Sequence, residues 1–236
     1  MIVTIIQPAY LPWLGYFHRI SCADIHVVLD HVQIDKNSKT KFANRNKIRT
    51  PQGWSWLTVP IKTKGKSGEL ELNAIEIDQE ASWKEKHWQT IKTCYSKAPF
   101  FKQNASFFEE IYSKNWLHLC DLNAAITEYL LQHAFQIVTP SLTSSSMNLT
   151  QQKDDLILEI CLQLKATQYI SGPFGREYLD KDKFNKAGIE VIYHDYNHPT
   201  YTQLFQEFEP YMSAIDLLFN TGPDAMSILK KDQILK

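Results

Sequence analysis

Net charge is almost absent from this chain: 25 basic side chains stand against 26 acidic ones in 236 residues. Such a chain has no global field to gather nucleic acid or an anionic membrane, so DNA binding is excluded as a primary role. Cysteine is scarce, and the four present, Cys22, Cys94, Cys120 and Cys161, form no CxxC pair. They read as reduced thiols rather than disulfide partners or metal ligands. The eight histidines form no HxxxH helix pair and have no CxxC partner, so no metal site is assigned. Long apolar runs are missing too. Pro8 and Pro12 interrupt the apolar N-terminus, which has no basic leader region, and nothing approaches the ~18 residues of a membrane helix. The expectation is a cytoplasmic chain without membrane insertion. Neither a Walker A loop nor a GxSxG elbow occurs.

What is present is an ordinary globular composition, 44% hydrophobic, with enough length for a full core in one domain spanning 1–236. Ile2 to Ile6 is an uncharged, β-branched run typical of a strand buried on both faces. A short helix follows over about Leu14 to Ala23, then a second buried run, His26 to Asp30. This order is a βαβ unit, with ligands expected beyond the carboxyl ends of the strands. Strands are expected over 54–61, 72–77, 137–140, 166–172 and 189–196. Helices are expected over 151–164, 179–187 and 203–219, with a mainly helical subregion over about 82–135. Ser82 and Glu85 have capping-box spacing at its start. The fold class is therefore α/β, a mostly parallel Rossmann-like sheet with a helical insertion.

Four polar-aromatic stretches could carry chemistry. In Gln7 to His18, two prolines and Gly15 fix an unusual turn in which Gln7, Tyr10 and Gly15 could meet a ligand; otherwise the turn is simply stiff, with Trp13 and Tyr16 in the core. Asn37, Asn44, Arg45, Asn46 and Lys47 suit a phosphate or carboxylate, or else belong to a solvated loop or half-buried strand. The turn Ser171, Gly172 to Arg176 offers backbone N–H groups and a cation. Tyr193, Asp195, Asn197 and His198 could hold a base or bind sugar hydroxyls, or form an edge strand and turn. His18 with Asp30 is a conceivable base and orienter; otherwise His18 is an exposed helical residue.

The stretches QPAYLPWLGYFHRI, HVVLDHVQ, NRNKIRTPQGWSWLTVPI, YISGPFGREYL, AGIEVIYHDY, HPTYTQ and LLFNTGP run across nearly the whole chain. In that order and spacing they resemble the WbqC-like protein family of bacterial O-antigen and other surface-polysaccharide gene clusters. The resemblance implies transfer of an aminoacyl (glycyl) or related acyl group to a nucleotide-linked aminosugar. Arg45, Lys47 and Arg176 would then hold the diphosphate, His18 or His198 would act as base, and the Ser171–Gly172 turn would hold an oxyanion. The partner is a small molecule, a sugar nucleotide, with tRNA entering only as an amino acid donor; the cofactor is unknown. A more distant similarity to HxGH nucleotidylyltransferases implies ATP binding instead, although Trp13 and Tyr16 stand where that motif has histidines. A non-catalytic sugar-nucleotide-binding partner of an assembly enzyme is the third reading.

Overall fold

The computed structural model describes residues 1–34, 42–62 and 70–233. Its centre is a five-stranded sheet built from β1 (Ile2–Ile6), β2 (Ile25–Val28), β5 (Ser141–Thr143), β6 (Gln168–Ser171) and β7 (Glu190–Tyr193). The spatial order is β5-β2-β1-β6-β7, and every pairing is parallel. The sheet is thus Rossmann-like, as expected from the two βαβ units.

Burial on both faces explains why β1 carries no charge. Val3 and Ile5 pack with Tyr169, Val191, Phe184 and the α5 (Lys153–Gln163) residues Ile157 and Ile160. Ile6 joins the opposite core with Leu14, Phe17 and Ile20 of α1 (Leu14–Ser21). The chain leaves β1 toward β2 on one side, while β6 leads through α6 (Lys181–Lys186) to β7 on the other. The sheet therefore changes direction between β1 and β6, and the residues just beyond these strands, Gln7 and Gly172, flank the crevice that ligands use in such sheets.

The helical subregion consists of α2 (Trp83–Tyr95), α3 (Phe101–Ser113) and α4 (Leu119–Tyr129). It shares the α1-side core with the antiparallel hairpin of β3 (Arg45–Thr50) and β4 (Gly53–Thr58) and with α7 (Ala214–Thr221). A polar chain crosses this core: the Tyr10 hydroxyl lies 2.6 Å from Tyr112 Oη and 2.8 Å from His87 Nδ1, and the His87 ring also bonds the Thr58 carbonyl.

Several local expectations are corrected. Residues 72–77 form a 3-10 turn, Leu72–Ala74, followed by isolated bridges rather than a strand. The strand expected at 137–140 lies at Ser141–Thr143, because Pro140 has no N–H to give a ladder. The helix expected over 203–219 begins only at Ala214; Glu207 and Tyr211 have positive φ, and Pro210 disfavours helix at the residue before it. Ser82 precedes α2 but makes no side-chain capping bond.

Removing the Tyr10 hydroxyl strands the buried His87 Nδ1. Tyr10→Phe is therefore expected to lower unfolding free energy by about 1–3 kcal/mol in urea titration, while the fold persists. An unchanged midpoint would mean that the network contributes nothing.

Candidate functional site

Helical spacing aims His18 inward, since it follows Leu14 by one turn on the buried face of α1. Period-two alternation aims His194, just past β7, at the same place. Val191 and Tyr193 pack with the α5/α6 core, which leaves Ile192 and His194 on the α1 side. The two imidazoles meet with His18 Nδ1 2.7 Å from His194 Nε2, stacked at 5.0 Å between centroids, and Tyr196 covers both rings.

One nitrogen of this pair must donate and the other accept, so two neutral rings satisfy the contact and two imidazolium rings cannot. The surroundings favour neutrality. Burial pulls the His18 pKa down to about 4, with Lys230 adding to the effect. Burial pulls His194 down to about 3, with further pushes from His18 and Arg19. His18 opens on a cavity of about 280 Å³ whose wall also carries Ser21, Cys22, Lys230 and Gln233. Gln233 clasps the Asn197 backbone, accepting from its N–H at 3.2 Å and donating to its carbonyl at 2.7 Å. The thiol of Cys22 lies 3.7 Å from His18 Nδ1, and burial raises its pKa, so it is not poised as a thiolate.

Other expected residues have partners of their own. The Asp30 carboxylate accepts from Ser144 Oγ at 3.0 Å, Ser145 N at 2.9 Å and Ser145 Oγ at 2.6 Å. His18 bonds His194 instead, and the strands carrying Asp30 and His194 are three spacings apart, about 14 Å. Tyr10 is fully buried in the helical core. At Gly15 the Tyr196 ring packs close to the backbone, and a Cβ there would lie 3.1 Å from it. On the hairpin, Asn46 is buried and donates to the Leu11 carbonyl at 2.7 Å, and Asn44 donates to the Val59 carbonyl at 2.8 Å. Arg45 lies over Trp56 at 4.4 Å and Lys47 over Trp54 at 3.8 Å.

Arg176 forks onto Asp195 at 2.8 and 2.6 Å and lies over the Tyr193 ring at 4.5 Å. Ser171 is fully buried, and its hydroxyl donates to the Gly172 carbonyl at 3.1 Å. His198 sits among Tyr201, Phe208 and Tyr211 rings, with Nδ1 3.0 Å from the Pro199 carbonyl oxygen and a buried, unpartnered Nε2. Gln7 is exposed beyond β1. Asn37 lies outside the described residues. A second cavity of about 440 Å³, walled by Thr58, Glu80, Trp83, Lys86 and His87, sits beside the helical subregion. Gln7, Asp30, Asn44 to Lys47 and Gly172 line neither cavity.

The structure thus gathers His18, Gly15 and Asn197 with His194, Tyr196 and Lys230. His194 and Tyr196 lie in the fourth polar-aromatic stretch but are not among its expected site residues, and Lys230 lies in none of the four. The alternation of β7 could have found His194; Lys230, from the turn after α8 (Ala225–Leu229), had no such signal. Among the described residues no cluster suits a metal ion, and no helix is long and apolar enough to cross a membrane.

These features define a Rossmann-like α/β protein with a neutral histidine pair at the carboxyl end of its sheet. The chain matches the WbqC-like protein family over residues 7–228 and belongs to it. It is also 34% identical over 230 residues to "Uncharacterized protein Rv1507c" of Mycobacterium tuberculosis (strain ATCC 25618 / H37Rv), covering 97% of each chain. No solved structure matches it.

Burial also pulls His26 down to about 3 and His87 down to about 4, giving four histidines held neutral with His18 and His194. Each regains an ordinary pKa of ~6.5 on unfolding, so each disfavours the fold as pH falls below ~6.5, until the folded pKa is reached. At about pH 5 each of these rings should take up close to one proton on unfolding. His198, also lowered by burial, adds to the uptake, and the buried Asp216, raised by burial, offsets part of it. The unfolding free energy should therefore fall steeply as pH drops from ~6.5 to ~5. Uptake of one proton or fewer would mean that these rings are already charged in the folded protein.

Proposed function

We propose that this protein is a transferase that passes an aminoacyl or related acyl group to the amine of a nucleotide-linked aminosugar in surface-polysaccharide synthesis. The observation that carries this reading is the neutral His18–His194 pair opening on a cavity at the carboxyl end of a parallel sheet. With His18 Nδ1 donating to His194 Nε2, the lone pair of His18 Nε2 is left as a proton acceptor. The sugar amine attacks the donor carbonyl carbon, and its nitrogen becomes acidic as the new C–N bond forms. His18 takes that proton and returns it to the leaving oxygen or sulfur as the old acyl bond breaks. Family membership and the resemblance to surface-polysaccharide clusters support the substrate class.

Nucleotidyl transfer has less support. Trp13 packs at 4.7 Å on Phe42 and at 5.6 Å on the buried Tyr16, and neither side chain is an imidazole.

The test incubates the protein with UDP- and dTDP-aminosugars and glycyl donors, either tRNA-borne or thioester, and follows the acceptor by mass spectrometry. The expected result is gain of one glycyl residue, with His18→Gln slowed about 100-fold or more while remaining folded. No acceptor gain with any donor, or a His18→Gln rate equal to that of the parent, would refute the proposal.

A further inference from the structure

Arg19 follows His18 on α1, and its guanidinium reaches across to the turn after β6. A Cβ placed on Gly172 would lie 2.5 Å from Arg19 Nη1. Gly172 has φ −67°, a value open to any residue, so the glycine there makes room and does not serve backbone conformation. The cation and the bare backbone are fitted to each other at the point where the sheet changes direction.

The described residues offer this guanidinium no hydrogen-bond acceptor. Among the described residues Arg19 has no carboxylate partner and donates no hydrogen bond; the charged or polar side chains that influence it are Tyr16, Tyr169, Tyr178, His26 and His194. None of these is an anion, since the phenols have raised pKa values and both histidines are neutral. Arg49 shows what this fold does with a structural arginine: it surrounds the group with the carbonyls of Thr50, Gly53, Gln206 and Glu207. Arg19 is only partly buried, so its guanidinium stays open at the crevice, and an incoming oxyanion can supply the acceptor that the described residues do not. The other cations expected to hold an anion are engaged elsewhere, Arg176 with Asp195 and Lys47 over Trp54.

We infer that Arg19, set against the Gly172 turn at the β1/β6 crevice, is the binding residue for a phosphoryl oxyanion of the ligand. The inference deepens the transferase reading by assigning the diphosphate of its acceptor, and it rests on that reading only for the identity of the sugar nucleotide. A fork of two N–H donors matches two oxygens of a phosphate, and Arg19 is near enough to His194 to act on it electrostatically, which sets the anion near the histidine pair.

The test is calorimetry with inorganic pyrophosphate and with UDP, neither of which needs an acyl donor. Arg19→Gln should weaken both about tenfold or more. Its thermal unfolding should stay close to that of the parent, because Arg19 is partly exposed and donates no hydrogen bond among the described residues. Gly172→Ala, which crowds the guanidinium, should weaken both ligands as well. Acetate at matched ionic strength should bind no better than chloride. Equal pyrophosphate affinity in parent and Arg19→Gln would overturn the assignment; so would early unfolding of Arg19→Gln with its affinity retained, or acetate binding as tightly as pyrophosphate. Phosphate binding that depends on Arg19 without any glycyl transfer would keep this site and sink only the transferase reading.

Discussion

A single hydrogen bond between two uncharged imidazoles joins the first βαβ unit of this protein to the last strand of its sheet. His18 comes from the helix after β1 and His194 from the end of β7, 176 residues later in the chain. The contact requires one shared proton, and burial ensures that no second one arrives. It lies on the side of α1 that the buried Leu14, Phe17 and Ile20 turn inward, and that rotation decides what else α1 presents. Leu14, Phe17 and Ile20 turn to the core, while Arg19 turns toward Gly172.

Polar groups elsewhere are largely consumed in holding the architecture. Asp30 ties β2 to the 3-10 turn Ser144–Ser146. Asn46 stitches the hairpin to the loop after β1, and Tyr10 stitches that loop to the helices. The buried Asp216 accepts from Tyr201 and Gln203 at 2.7 and 2.8 Å. Self-satisfaction of this kind is what a folded interior demands. It gives meaning to Arg19, which among the described residues donates no hydrogen bond.

Much of the fold was legible because its signals are local. The charge-free β1, the amphipathic α1 and the strand–helix–strand order at 168–193 each declare themselves within a dozen residues. The parallel sheet follows from the helical crossovers in such units. Pro210 hid the real start of α7, since apolar spacing around it mimics a longer helix. The site was less legible for a different reason. Asn44 to Lys47 look like an anion site in sequence because their partners, Leu11, Val59, Trp54 and Trp56, lie across turns and strand pairings that no local pattern encodes. Arg19 looked ordinary because an arginine on a short helix usually faces water. Only the three-dimensional approach to Gly172 sets it apart.

The account stands on the protonation state of one pair of rings. Nitrogen-15 NMR of histidine-labelled protein reads it directly, because the shifts of Nδ1 and Nε2 distinguish both tautomers from imidazolium. At about pH 6, near the ordinary histidine pKa, His18 and His194 should both be neutral, one bearing a proton at the shared contact and the other presenting a lone pair there. An imidazolium signature for either ring at that pH would contradict the account.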